Sequence, residues 1–88
     1  MKTKRIGWIV EWRLPQKIRP PKSSWVNFDG LAKAWASKTD AIDHFEERCG
    51  FWFIPLKVIN SRSRRAKYHW LRNRGYARCV PVYVEDRP

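Results

Sequence analysis

Between Ser61 and Arg78 the chain reads Ser-Arg-Ser-Arg-Arg-Ala-Lys-Tyr-His-Trp-Leu-Arg-Asn-Arg-Gly-Tyr-Ala-Arg, with seven of its nineteen basic side chains, no acid, and four aromatic or imidazole rings. Guanidinium forks pair bidentately with phosphate oxygens, and Tyr, Trp and His rings stack on bases. Packed into one short stretch, these residue types suit a nucleic-acid backbone with bases beside it. Arg62, Arg64, Arg65, Lys67, Arg72 and Arg74 are therefore the candidate phosphate contacts, and Tyr68, His69 and Trp70 the candidate ring contacts. In a helix, Arg65 and Arg72 would share a face with Tyr68 between them. Trp70 has a competing use, because with Ala66 and Leu71 it makes a narrow apolar stripe able to anchor that helix to a core.

A second basic group, Lys2, Lys4, Arg5, Lys17, Arg19 and Lys22, lies towards the other end of the chain. Its last three members surround Pro20-Pro21 in a polar stretch that reads as an extended surface loop. Lys17, Arg19 and Lys22 join the candidate nucleic-acid contacts on that ground. Trp8 and Trp12 fall on one strand face, with Trp25 and Trp35 expected on neighbouring strands; exposed, such a row would be a stacking platform. Core packing is the competing use, since each large ring buries ~150 to 250 Å².

Other chemistries find less support. Cys49, Cys79, His44 and His69 offer zinc-ligating atoms, but their spacing matches no C-x₂₋₄-C with H-x₃₋₅-H pattern, so no metal or cofactor is expected and both cysteines are expected as free thiols. His44 follows Asp40 by four residues and precedes Glu47 by three, while His69 sits among Arg, Lys and Tyr. Metal-free RNA cleavage needs a positioned acid and base and a cationic clamp, which the second group resembles in type only. Acid clusters that would hold Mg²⁺ for a nuclease are missing. The chain is therefore expected not to be an enzyme.

The formal net charge is +11, distributed as +6 over residues 1 to 22, −1 over 23 to 60 and +6 over 61 to 88. Self-repulsion of that size opposes compaction and is relieved by an anionic partner. Nucleic acid is the expected one, with an acidic protein surface as the alternative. The longest apolar run, Phe51 to Leu56, is far too short to span a bilayer, and the opening Met-Lys-Thr-Lys-Arg precedes a strand-like stretch rather than a signal segment. A reducing, intracellular, cytoplasmic setting without membrane attachment is the expectation. Nothing in the residues indicates an oligomeric state.

The elements that must position these groups follow from periodicity. Eighty-eight residues suit one domain, 1 to 88, with one modest core. Ile6 to Arg13 alternates as a half-buried strand, with Ile6, Trp8, Val10 and Trp12 on one side. Asp29-Gly30 suits a two-residue hairpin turn between Trp25–Phe28 and Leu31–Ser37. Thr39 as N-cap, Ala41, Ile42, Phe45 and Cys49 on one face, and Gly50 as a left-handed terminator mark a helix over 40 to 49. Phe51–Asn60 and Arg78–Glu85 read as strands, though Pro55 and Pro81 push both towards an edge or a bulge. In the basic segment Ser61 or Ser63 could cap a short helix that Gly75 ends; an arginine-rich loop that orders on binding is the rival.

The expected fold class is α+β: a three- to four-stranded, mostly antiparallel sheet with one helix packed on one face and a second short helix in the basic segment. The expected function is a small, basic, non-catalytic nucleic-acid-binding module for single-stranded or structured RNA or DNA. Two alternatives stand beside it. One is a phage-type accessory protein or inhibitor that docks on a host protein, such as a nucleic-acid-processing enzyme, through protein–protein interaction. The other is a basic, metal-free ribonuclease toxin using His69 and Tyr68.

Overall fold

A computed structural model describes residues 2–16, 22–29 and 34–86. The elements run β1 (Lys2–Trp12), β2 (Val26–Asn27), α1 (Lys38–Arg48), α2 (Leu56–Ile59), α3 (Ala66–Asn73) and β3 (Ala77–Asp86). The strands form one antiparallel sheet in the order β2-β1-β3, and the fold is α+β. Helix α1 packs on β1 and β3, and α3 packs against α1, α2 and β3.

Strand β1 shows the expected alternation from Trp8 onward. Trp8, Val10 and Trp12 register with Pro81, Cys79 and Ala77, and Val10 and Ala77 are buried in the core. Ile6 departs from the pattern. The register slips between Arg5 and Gly7, and Ile6 is the extra residue of the resulting bulge, 47% exposed instead of sharing the inward face of Trp8.

The bulge brings Gly7 against a neighbouring segment. Trp8 and Trp35 exchange backbone hydrogen bonds of 2.8 and 2.7 Å, and a Cβ on Gly7 would lie 2.5 Å from the Trp35 carbonyl oxygen and 2.7 Å from the Ala34 Cβ. Only a residue without a side chain permits that approach. Because the backbone groups of Trp8 point at Trp35, the Trp8–Pro81 pair is of the non-hydrogen-bonded kind. The position where Pro81 lacks a donor therefore faces the outer edge of β3, unpaired among the described residues, where a proline costs the ladder nothing.

Of the hairpin expected about Asp29-Gly30, residues 30–33 lie outside the described residues, and the described parts of its arms take other partners. Val26 and Asn27 pair with Trp12 and Glu11, Phe28 donates to the Val10 carbonyl, and Trp35 bridges to Trp8. Both arms thus run antiparallel to the same edge of β1, and among the described residues they do not pair with each other. Helix α1 begins earlier than expected, because the Ser37 side chain, not that of Thr39, accepts the Asp40 N–H at 3.0 Å. It ends on Cys49 in an extended conformation rather than on a left-handed Gly50.

The strand expected over Phe51–Asn60 is instead a turn followed by α2. Its Ile54 N–H bonds to the Phe51 carbonyl, and the Val58 and Ile59 N–H groups bond to the Pro55 carbonyl. Pro55 has no N–H to give a ladder, but its φ of −61° is preset for opening a helix. The aromatic residues that looked like strand then serve the core from a turn, with Phe51 and Phe53 stacked at 5.3 Å. Phe45 and Leu71 are fully buried at the centre, and Phe28 meets Phe45 edge-on at 4.7 Å.

Gly7→Ala is expected to destabilise the protein by about 1–3 kcal/mol, the usual cost of forcing atoms into filled space. Urea unfolding measures it, and an unchanged midpoint would deny the close approach of 34–35 to β1.

Candidate nucleic-acid interface

The basic segment contains a helix, but the residues that start it are held by carboxylates from α1. Arg65 precedes α3 in the left-handed region, φ 59°, which costs a side-chain-bearing residue about 1–2 kcal/mol. Its guanidinium grips Asp43 with both ends, Nε to Oδ1 at 2.6 Å and Nη2 to Oδ2 at 3.3 Å. That hydrogen bond holds the Asp43 carboxyl below its ordinary range, and Arg64, 3.7 Å away, acts in the same direction. One turn along α1, Glu46 accepts the backbone N–H of Lys67 at 3.2 Å and of Tyr68 at 2.8 Å.

Glu46 is thus the cap of α3, supplied across 22 residues in place of Ser61 or Ser63. Ser61 instead accepts the Ser63 N–H, and the N-cap residue Arg65 makes no side-chain cap bond. The carboxylate fills the position at the positive end of the helix that a phosphate could otherwise take. Lys67 completes the exchange, donating from Nζ to the Cys49 carbonyl at 2.6 Å, at the negative end of α1, with Glu46 3.9 Å away.

These contacts divide the candidate residues. Tyr68 is buried, edge-on to Phe45 at 6.0 Å, with its phenol pKa raised by burial, so its ring belongs to the core rather than to a ligand. Trp70 is half-buried, tilted against Tyr76, and Arg74 lies 4.7 Å from its ring centroid. It anchors α3 as its apolar stripe suggested. Arg65 and Lys67 are committed to α1. Arg62, Arg64, His69, Arg72 and Arg74 are exposed, and among the described residues Arg62, Arg72 and Arg74 have no carboxylate within ion-pair distance. Gly75, at φ 80°, ends α3 as expected. Lys22 is exposed, and Lys17 and Arg19 lie outside the described residues.

The row of tryptophans expected as a stacking platform is dispersed. Trp12 packs on Phe51 at 4.6 Å, Trp35 on His44 at 4.3 Å, and Trp8 lies beside Arg5 and Lys38. Trp25 has two guanidinium carbons, those of Arg13 and Arg78, each 4.2 Å from its ring centroid. Both cations are also tied down, Arg13 to the Gly75 carbonyl at 2.7 Å and Arg78 to Glu11 at 2.8 Å. The sequence signal for this cluster was Glu11 and Arg13 sharing a strand face, with a basic residue on the strand that pairs with it.

His44 takes its acid from a loop and not from its own helix. Its Nε2 lies 2.9 Å from Asp29 Oδ1, and the Trp35 indole donates to the other oxygen at 3.3 Å, which ties the segment after β2 to α1. Cys49 and Cys79 are free, and burial pushes both thiols up, so they are protonated near neutral pH. Among the described residues no three His, Cys, Asp or Glu side chains converge as a metal site, and no helix is long and apolar enough to cross a membrane. No protein-family model, curated protein or solved structure matches this chain.

Glu46→Ala removes the cap of α3 and is expected to cost about 1–2 kcal/mol, as lost caps do. Its exposed neighbour Glu47→Ala should stay within about 0.5 kcal/mol of the parent. Chemical denaturation of both variants checks the difference.

Proposed function

We propose that the protein is a small, non-catalytic nucleic-acid-binding module that holds a phosphate backbone with Arg62, Arg72 and Arg74, with Arg64 and His69 alongside. One observation carries this reading. No acid stands between Glu47 and Glu85, and the carboxylates that reach into that stretch from elsewhere are spent on Arg64, Arg65, Lys67 and Arg78. The cations left over face solvent unneutralised among the described residues, the condition in which counterion release from a polyanion is worth most.

On α3, His69, Arg72 and Asn73 stand three and four positions apart on an exposed stripe. It presents a ring, a guanidinium fork and an amide to one ligand. Single-stranded or structured RNA or DNA fits that mixture better than a smooth duplex, because unstacked bases can meet the His69 ring. The ribonuclease alternative would need Tyr68 beside His69 as a reacting group. Its burial supports the non-catalytic reading.

Mobility shifts on single-stranded and duplex DNA and RNA across a salt series test the proposal. With about four phosphates engaged, log K falls against log salt with a slope of roughly −4 on a duplex. Replacing Arg62, Arg72 and Arg74 together by Ala reduces that slope by about 2–3, with unfolding midpoint unchanged. Absence of binding at low salt, or a triple variant that binds as the parent does, overturns the reading.

A further inference from the structure

The six tryptophans are not equivalent. Trp8, Trp12, Trp25, Trp35 and Trp70 are all half-buried, whereas Trp52 is 88% exposed. It stands between Phe51 and Phe53, both packed against the core, in the turn closed by the Ile54 N–H on the Phe51 carbonyl. The Phe53 ring meets it edge-on at 5.6 Å and props its base. Two further apolar side chains follow within seven residues, Leu56 at 74% and Ile59 at 46% exposure. They are three positions apart on the outer side of α2, while Val58 turns to the core.

Three large apolar side chains in water within one turn and one short helix is the arrangement that folding and association otherwise remove. Their surroundings narrow what could cover them. Arg48, at the end of α1, Lys57, on α2, and Arg62, just after it, are exposed; none has a carboxylate within ion-pair distance among the described residues. No acid lies from residue 48 to 84, although exposed Glu47 directly precedes Arg48. A second copy would bring the same basic rim, and a net charge of +11, against itself. A base could stack on Trp52, but Leu56 and Ile59 have no ring to offer. A bilayer surface is met by a continuous apolar face along a helix, and α2 has four residues.

We propose that Trp52, Leu56 and Ile59 form the docking face for an acidic protein surface, a shallow apolar cleft with carboxylates on its rim. Trp52 is the anchor that fills the cleft, and Leu56 and Ile59 cover its edge. Arg48 and Lys57 meet the carboxylates and set the orientation. Exposed Trp with flanking Arg is the composition in which interface energy concentrates. Trp52, Leu56 and Ile59 are not among the proposed phosphate contacts, and Arg62, just after α2, borders both sites, so the module would join a polyanion to a protein partner.

The test selects binders to the full chain, in nuclease-treated buffer, from a displayed library of two-helix scaffolds randomised along the groove between the helices. Trp52→Ala serves for counter-selection. The expected winners carry large apolar residues in the groove and Asp or Glu at its margins. Trp52→Ala weakens the best of them by ~30-fold or more, while Leu56→Ser and Lys57→Glu weaken it less; all three variants keep the parent melting temperature, and Trp52→Ala and Leu56→Ser keep the oligonucleotide affinity. The proposal is overturned if no winner distinguishes parent from Trp52→Ala, or if winners lack acids. It is equally overturned if the Trp52-dependent event is self-association in sedimentation, adsorption to anionic vesicles, or oligonucleotide binding.

Discussion

Asp43 and Glu46, one turn apart on α1, hold the first residues of α3, and most of the charge arrangement follows from that grip. Arg65 occupies a backbone conformation that disfavours a side chain, and α3 has no cap of its own. Both deficits are met from the same stretch of α1, by a bidentate pair on Arg65 and two backbone bonds on Glu46. Unpaired N–H groups at a packed helix end and a strained residue together would cost a small domain a large share of its few kcal/mol of stability. The carboxylates have a second effect. They withdraw Arg65 and Lys67 from the surface and close the anion position at the start of α3, so the cationic face is displaced to its exposed side and its end.

The aromatic residues divide in the same way between support and surface. Phe28, Phe51 and Tyr68 surround Phe45, and Trp8, Trp35 and Trp70 pack against that cluster from its margins. In a chain this short, large rings do what a longer chain would do with more residues. Cations extend the layer outward, with Arg13 and Arg78 at Trp25, Arg74 at Trp70 and Arg5 at Trp8. A guanidinium over a ring can leave its polar edge in water, so a strongly basic surface can also help to cover an aromatic core.

The local grammar of the sequence was legible where one element determined its own state. The alternation of Trp8, Val10 and Trp12, the apolar face Ala41-Ile42-Phe45 and the stop at Gly75 all needed no partner to be read. Long-range terms decided the rest. Ile6 left its face at a bulge that sets Gly7 against the backbone of Trp35, and both described arms of the expected hairpin joined β1. Phe51–Asn60 had strand composition, yet Pro55 opened a helix. The clasp on α3 has no short-range pattern, since Asp43 and Arg65 are 22 residues apart. One hint existed: with no acid from 48 to 84, any partly buried cation there needed a carboxylate from outside, and α1 is the acid-rich element.

The division of the basic segment into anchoring and available cations is read most directly from arginine side-chain NMR. Nε–Hε resonances are followed as a single-stranded oligonucleotide is added to the full chain. Arg62, Arg72 and Arg74 should shift progressively and saturate together, while Arg65 stays at its Asp43-bound position throughout. Movement of Arg65 in step with the others, or its release from Asp43 on binding, would contradict the account.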